Sequence, residues 1–387
     1  MFTKTSLSDW ESTVQKQLKS ENIYEVLSKE NLEGICVKPY YVSVAKPLVN
    51  LPKIEESTQL VAKYRDDLEE NVFAVLLNEN VENLDEKVIF VNNKALAEHI
   101  SVDENNRYLS LIDIFSEENG TIYEQLGKEL LAKNFERSIC VDVALHQNSG
   151  ASIEQQLAVG LAKTKDLTEV FGAEILNKLV FRFAVGANYF FEIAKIRAFK
   201  LVFNQLSKEF GKNEIPYIFV ETSFRNKTKK DPENNLIRST LELSAAMIGG
   251  ADAVFTNDFR IENATLLSEE IAFKQQIVLA YESIINVFED GANGSYYVEN
   301  ITQQFVENSW KLFLEIEENG GYCESLKSGN IQKMIFEHAV QEQNWVEEGK
   351  IKLIGVNLYP KQEKTKSVNV MYDAAVIKPV RLAEMFE

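Results

Sequence analysis

The stretch from Ile218 to Phe259 constrains the fold of this chain more than any other. Residues 218–221 form a short apolar run of strand type, and residues 251–256 form a second one. Between them, residues 233–248 carry apolar side chains at spacings of three and four, which predicts a helix. Two strands joined by a helix predict a parallel βαβ unit, and ligands bind such units beside the C-terminal ends of the strands.

The helix of this unit has well-marked predicted ends. Asp231 suits the N-cap and Pro232 the first helical position, where the missing N–H of proline costs nothing. Gly249 and Gly250 predict the C-terminal end, because a left-handed closing residue favours glycine. The predicted apolar face of this helix comprises Leu236, Ile237, Thr240, Leu241, Ser244, Met247 and Ile248.

Strand and helix patterns alternate along most of the chain. Strands are predicted at 72–77, 88–91, 108–114, 138–145, 179–185, 215–221 and 251–256. Helices are predicted at about 93–100, 118–133, 152–171, 188–210, 233–248, 267–289, 297–319 and 328–348. This α/β alternation favours a (β/α)8 TIM barrel, with a doubly wound sheet as the alternative. Neither G-x-G-x-x-G nor G-x-x-x-x-G-K-[ST] occurs in the sequence.

Three regions follow from this pattern. Residues 1–50 are predicted to be a helical or extended N-terminal arm, whose apolar side chains dock on the body of the chain or on a partner. Residues 51–360 are predicted to be the barrel, and residues 361–387 a C-terminal linker or tail.

Composition excludes several classes of protein. A net charge of −18 argues against a nucleic-acid binder, which needs a basic surface. The three cysteines are odd in number and far apart, which is typical of a reducing compartment. The sequence contains no apolar run of 18 residues and begins without the apolar core of a signal peptide. We therefore expect a soluble cytoplasmic protein with no membrane partner.

Few residues offer chemistry. The three histidines, His99, His146 and His338, have no metal-binding spacing. His146 directly follows a predicted strand, so it is a pocket candidate, with a hydrogen-bonded loop histidine as the alternative. Arg182 interrupts an apolar strand, and an arginine inside a barrel must be paired. Charged residues in the helix at 188–210 are predicted to form ion pairs along a solvated edge. The residues alone indicate an α/β barrel with a vestigial or borrowed site.

Several long motifs carry a resemblance to a known family. Residues 222–259, with T-S, T-x-x-D-P-x-x-N-x-x-R-x-T, G-G-A and T-N, resemble the methylmalonyl-CoA mutase family. Residues 186–200 are similar to its F-x-E-I-A-K-x-R-A helix, residues 290–302 to its D-P-A-G-G-S-Y-Y-V-E segment, and residues 350–359 to its I-V-G-V-N-x-Y segment. The resemblance implies a (β/α)8 barrel that binds an acyl-CoA thioester. It also implies a separate C-terminal domain that holds adenosylcobalamin, whose radical rearranges the carbon skeleton.

The sequence departs from the catalytic pattern of that family. It contains no D-x-H-x-x-G motif, whose histidine ligates cobalt, and no cobalamin-binding domain is predicted. Residues 43–60 lack the family's R-G-x-Y segment. Phe255 stands where catalytic chains have the histidine of H-T-N, and Leu145 where they have the histidine of H-M-Q-E-A-G-A.

The chain therefore resembles the small, non-catalytic subunit of the heterodimeric mutases. The resemblance implies a component of an isomerase that interconverts methylmalonyl-CoA and succinyl-CoA, with no activity of its own. It implies a large catalytic subunit as partner, which holds the adenosylcobalamin, and no cofactor on this chain. It predicts no catalytic residue and no metal ligand. Candidates for a vestigial pocket are His146, Gln147, Arg182, Thr222, Arg225, Phe255 and Asn257.

Two alternatives remain open. The barrel could bind an acyl-CoA and act as a carbon-skeleton mutase with a separate cobalamin-binding protein. It could also keep a CoA or regulatory pocket without chemistry, with the basic loop 225–230 either solvated or in contact with phosphates.

Overall fold

Eight parallel strands form a barrel in the structure, which is a computed structural model that describes residues 5–29, 31–43, 51–66, 68, 72–81, 84–359 and 371–387. The strands are β1 Gln59–Lys63, β2 Ala74–Leu77, β3 Val88–Val91, β4 Arg107–Ser110, β5 Ile139–Asp142, β6 Leu179–Val185, β7 Tyr217–Thr222 and β8 Ala253–Phe255. Each strand from β1 to β4 pairs with the next, as does each strand from β5 to β8, and β8 pairs with β1. Parallel bridges from Leu109 to Arg137 and from Asp113 to Cys140 join β4 to β5 and close the sheet. The predicted (β/α)8 barrel is therefore confirmed.

Helices surround this sheet and continue beyond it. They are α1 Leu7–Leu18, α2 Ile23–Leu27, α3 Lys94–His99, α4 Glu124–Ala132, α5 Ala144–Asn148, α6 Ile153–Phe171, α7 Tyr189–Glu209, α8 Glu233–Ile248, α9 Leu266–Ile277, α10 Tyr296–Glu318, α11 Gly321–Lys327 and α12 Asn330–Glu347. A short antiparallel pair, Phe115–Ser116 with Thr121–Ile122, follows β4. No helix in the described ranges is long and apolar enough to cross a membrane.

Three sequence predictions need correction. Strand β1 was not predicted, because its polar ends, Gln59 and Lys63, leave only three apolar residues between them. The predicted strand at 108–114 ends at Ser110, where the chain turns into the short antiparallel pair. The predicted helix at 267–289 ends at Ile277 and passes into a single π-helical turn.

The helix α8 also differs from its prediction. It begins at Glu233, after Pro232, and Asp231 takes a left-handed φ of +50°. Its predicted apolar face is wrong in part, because Ile237 and Leu241 are 65% and 55% exposed. The buried face includes the polar residues Asn235, Ser239 and Glu242, and Asn235 and Glu242 hydrogen-bond to the loop beneath. Gly250 closes the helix with φ +83°, as predicted.

Bulky side chains fill the inside of the barrel. Phe90, Tyr217 and Phe219 point inward and contact one another, with ring centroids of Phe90 and Phe219 5.0 Å apart. The smaller inward residues of the other strands pack around them, and each is at most 8% exposed. The interior is therefore a packed apolar core, as is usual for small barrels.

The segments at both ends of the chain lie against this body. Helix α10 packs on α6 and α7, where the rings of Phe191 and Phe305 meet edge to face. Residues 371–387 include side chains that are almost fully buried near α12, among them Met385. The N-terminal arm is attached through Cys36, whose N–H donates to the Gln304 side chain at 2.8 Å. Residues 44–50 and 361–370 of the predicted regions lie outside the described residues.

Candidate functional site

The candidate site is the mouth of the barrel, the end at which the strands have their C-termini. A cavity of about 480 Å³ opens there, lined in part by Arg182, Phe255 and Asn257. The pleat places the inward residues of neighbouring strands in one layer, so the ends of β5, β6, β7 and β8 meet at this level. A barrel of this class normally binds its ligands in this position.

An ion-pair network occupies the floor of the mouth cavity. The Arg182 guanidinium donates to Glu221 Oε2 at 2.6 Å and lies 3.5 Å from Asp142 Oδ2. Burial alone would lower the pKa of Arg182, but the two carboxylates raise it above its usual value. The pairing that the sequence requires for Arg182 is thus present. The sequence analysis did not name its partners, although a carboxylate at the C-terminal end of each neighbouring strand was a usable signal.

The other polar groups of the mouth are also bonded to one another. The Asn257 side chain donates to the Thr222 carbonyl at 2.7 Å, and the Asn257 N–H donates to Thr222 Oγ1 at 3.0 Å. Thr222 is 1% exposed, so its hydroxyl serves this turn and faces no solvent. Phe255 brings only an apolar ring to the cavity.

Residues 225–228 of the basic loop 225–230 lie inside the protein, which corrects for these four residues the prediction of a solvated or phosphate-contacting loop, while Lys229 is exposed. Lys227 pairs with Glu242 at 2.6 Å, and both side chains are at most 3% exposed. Arg225 pairs with Glu342 at 2.6 Å and donates to the Val380 carbonyl at 2.9 Å. The loop faces inward because α8, α12 and the C-terminal segment offer it carboxylates and carbonyls.

Two of the predicted pocket residues line a second cavity of about 470 Å³ beside the first. Gln147 and Arg225 contribute to its wall, together with Glu33 from the arm and His338 from α12. Gln147 donates to the Ser223 hydroxyl at 3.1 Å, and Ser223 lines both cavities. The predicted pocket is therefore divided between two neighbouring spaces.

His146 lines neither cavity. It is fully buried, and its Nε2 lies 2.8 Å from the Tyr322 hydroxyl, which donates to Glu117. Burial lowers the pKa of His146 to about 4, so the ring is neutral at pH 7. Glu117 and Asp113 are both held by the Nζ of Lys163, at 2.8 and 2.6 Å. The histidine thus belongs to a buried polar cluster that joins the loop after β4 to α11.

The residues at the mouth do not fit adenosylcobalamin, the cofactor that the resemblance implies. The resemblance implies a histidine as cobalt ligand, and His146 cannot take this role at the mouth because it is buried against Tyr322. The Nδ1 of His338 is hydrogen-bonded to the Gly150 carbonyl, and His99 lies at the end of α3. Among the described residues, no group of three or more His, Cys, Asp or Glu side chains could hold a metal ion. No catalytic step through this cofactor follows from the chain's own residues.

The fold and the mouth together define a (β/α)8 barrel of the acyl-CoA mutase type with an internally neutralised mouth. The sequence profile of the methylmalonyl-CoA mutase family matches residues 131–385, about two thirds of the chain. The chain belongs to this family.

Individual relatives agree with the family assignment. Methylmalonyl-CoA mutase of Rhizobium meliloti (strain 1021) is 30% identical over 278 residues, which is 69% of this chain and 39% of that protein. In Porphyromonas gingivalis, the methylmalonyl-CoA mutase small subunit is 32% identical and the large subunit 31% identical, over 58% and 56% of this chain. These alignments cover 38% and 32% of the two subunits, so the chain spans less than half the length of these relatives.

Proposed function

We propose that this chain is a non-catalytic barrel subunit that binds and stabilises a longer, catalytic methylmalonyl-CoA mutase chain. The observation that carries the proposal is the neutralised mouth, where Arg182 is held by Glu221 and Asp142 over a floor of packed aromatic side chains. To bind a carboxylate substrate, the site needs a cationic side chain that can leave its own carboxylate partners. Removing Arg182 from the buried Glu221 and the partly buried Asp142 would leave those charges uncompensated, which is costly.

The interior of the barrel supports the same conclusion. Phe90, Tyr217 and Phe219 close the axis below the mouth, so the mouth cavity has no continuation through the strands. An acyl-CoA would have to bind entirely in about 480 Å³ at the surface. In the proposed assembly, adenosylcobalamin and the reacting acyl-CoA are bound by the longer chain.

The mouth cavity itself favours the second candidate function, an acyl-CoA-binding barrel that works with a separate cobalamin-binding protein. Arg182 and Asn257 would then contact the substrate, because both line this cavity. This candidate requires that the ion pair between Arg182 and Glu221 opens when substrate binds.

Co-expression with a longer homologue that carries D-x-H-x-x-G tests the proposal. We expect a stable complex, a higher melting temperature for the longer chain in the complex, and methylmalonyl-CoA turnover only when the longer chain is present. This chain alone, mixed with adenosylcobalamin and methylmalonyl-CoA, is expected to show no turnover and no heat of binding in calorimetry. Turnover by this chain with a separate cobalamin-binding protein, lost in Asn257→Ala, would overturn the proposal in favour of the second candidate.

A further inference from the structure

A large apolar surface runs along the outer side of the barrel to its lower end. Helix α8 contributes Ile237 and Leu241, which are 65% and 55% exposed. The segment 278–288 contributes five more exposed side chains, namely Val278, Tyr281, Ile284, Val287 and Phe288, with exposures from 44% to 69%. We call these seven side chains the lower apolar surface.

The two parts of the lower apolar surface are continuous. Ile237, Leu241 and Ile248 follow one stripe of α8, with Ile248 at its lower end. Gly291 lies directly between Ile248 and Phe288, within 3.5 Å of a Cβ built on it. The stripe of α8 therefore runs on into the segment 278–288.

The segment 278–288 is held in place beneath these exposed side chains. Leu279 and Ala280 are buried, and the Asn286 carbonyl accepts hydrogen bonds at 2.9 Å from the Thr58 N–H and from Lys53 Nζ. A partner would therefore meet side chains that are already fixed in position, which lowers the conformational entropy lost on binding.

One residue of the segment is strained as well as exposed. Ile284 has a left-handed φ of +54°, an unfavourable conformation for a β-branched side chain, and it is 58% exposed. It follows directly on a π-helical turn at Val278–Glu282, and such turns are frequent at functional sites. In the isolated chain, burial of the Ile284 side chain does not offset this strain, whereas a partner that covers the side chain would offset it.

The size of the lower apolar surface matches an interface. Its seven side chains together expose on the order of 700 Å², more than the roughly 300–600 Å² of the largest patch on a typical monomer. A stable protein–protein interface buries about 800 Å² on each partner. One partner of ordinary size would thus cover the whole surface.

Charge decides between the possible occupants. Glu282 and Glu289 are exposed within the same segment, and the chain carries a net charge of −18. A two-fold contact between copies places the same surface on both sides, so both partners would bring these carboxylates into one interface. Like charges opposed across an interface disfavour the pairing.

We propose that the lower apolar surface is the docking surface for the longer homologous mutase chain, which presents an apolar patch with basic groups opposite Glu282 and Glu289. This inference rests on the proposed function and adds the face through which the two chains meet.

The test uses one double variant and a matched control. Leu241→Glu with Tyr281→Glu places charges on the surface, and Leu314→Glu replaces a side chain of similar exposure, 46%, on α10 and outside this surface. We expect the double variant to weaken the complex with the longer chain at least tenfold in calorimetry, and the control to bind as the wild type. Equal binding by the double variant and the wild type would overturn the assignment of this face.

A second variant separates binding from folding. Ile284→Gly relieves the left-handed strain and removes the side chain, so the isolated variant is expected to melt no lower than the wild type while its affinity for the longer chain falls. Light scattering of the chain alone checks which partner covers the surface. If the wild type is a dimer and the double variant a monomer, the partner is a second copy of this chain and not the longer chain. If the wild type does not bind any longer, catalytic homologue, the proposed function fails. If the wild type binds and these variants bind equally well, only the assignment of this surface is refuted.

Discussion

Arg197 shows how the structure uses a charged side chain that the sequence places on a barrel helix. The sequence analysis predicted a solvated edge for α7, but Arg197 is 1% exposed beneath α10. Its guanidinium donates to Asp290 at 2.7 and 3.0 Å and to Glu299 at 2.8 Å. Burial lowers the pKa of Arg197, and the two carboxylates raise it above the usual value. The charged side of α7 is therefore the joint between the barrel and the C-terminal helices.

Arg197→Met is expected to lower the free energy of unfolding by about 3–5 kcal/mol, because Asp290 and Glu299 would stay buried without a counter-ion. Urea denaturation followed by circular dichroism measures the change. The control is Lys128→Met, which removes an exposed pair with Glu124 and should cost less than about 1 kcal/mol. Similar losses in the two variants would contradict the joint assigned to Arg197.

At the same scale, the site was partly predictable. Arg182, Phe255 and Asn257 were named from the sequence and lie together at the mouth. Their positions follow from the ends of strands, which the apolar pattern gives. His146 follows a strand too, but its ring turns away from the mouth toward Tyr322, which is 176 residues further along the chain. No local pattern reports a contact of that kind.

Among the elements, α8 was predicted in extent but not in orientation. Its apolar periodicity pointed to Ile237 and Leu241 as core residues, yet the helix buries Asn235, Ser239 and Glu242. The loop before the helix explains this, since Lys227 needs the Glu242 carboxylate and the Thr228 N–H needs the Asn235 side chain. Buried polar groups need hydrogen-bond partners, and this need has outweighed the apolar pattern in setting which face of α8 is buried.

The closing glycine of α8 gives a prediction for this element. Gly250 has φ +83°, and a Cβ built there lies 2.1 Å from the Glu289 carbonyl oxygen. Gly250→Ala is expected to cost about 3 kcal/mol of unfolding free energy, from left-handed strain and from the contact with the backbone. Gly211→Ala is the matched control, with φ +70° and no atom within 4 Å, and should cost about 1 kcal/mol. Equal costs in thermal or urea unfolding would show that the close approach to Glu289 is not rigid.

For the whole molecule, the arm is attached to the body through a buried carboxyl group. Glu33 Oε2 accepts the Ile153 N–H at 2.8 Å, at the start of α6 and beside the second cavity. Burial raises the pKa of Glu33 to about 8, although the hydrogen bond from Ile153 lowers it. In the unfolded chain the pKa of a glutamate is near 4.5, so the folded protein binds an extra proton between these two values.

The contribution of Glu33 to docking is therefore complete below about pH 4.5 and is lost as the pH rises through about 8. We expect amide protons of residues 31–43 to exchange faster, relative to the intrinsic rate, at pH 9 than at pH 6. Glu33→Gln keeps a neutral side chain and should remove this pH dependence, whereas Glu21→Gln, at an exposed position of the arm, should keep it. Equal pH dependence in the wild type and in Glu33→Gln would contradict the role of this carboxyl.

The sequence by itself determined the barrel and its family. Apolar runs, their spacing and the motifs around Asp231, Gly249 and Asn257 are local properties, so they can be read in chain order. The closure of the sheet, the burial of residues 225–228 and the pairing of Arg182 were decided by tertiary structure, because each depends on residues brought together from distant positions. The same reason leaves Ile237 and Leu241 at the surface, where the apolar pattern alone would have placed them in the core.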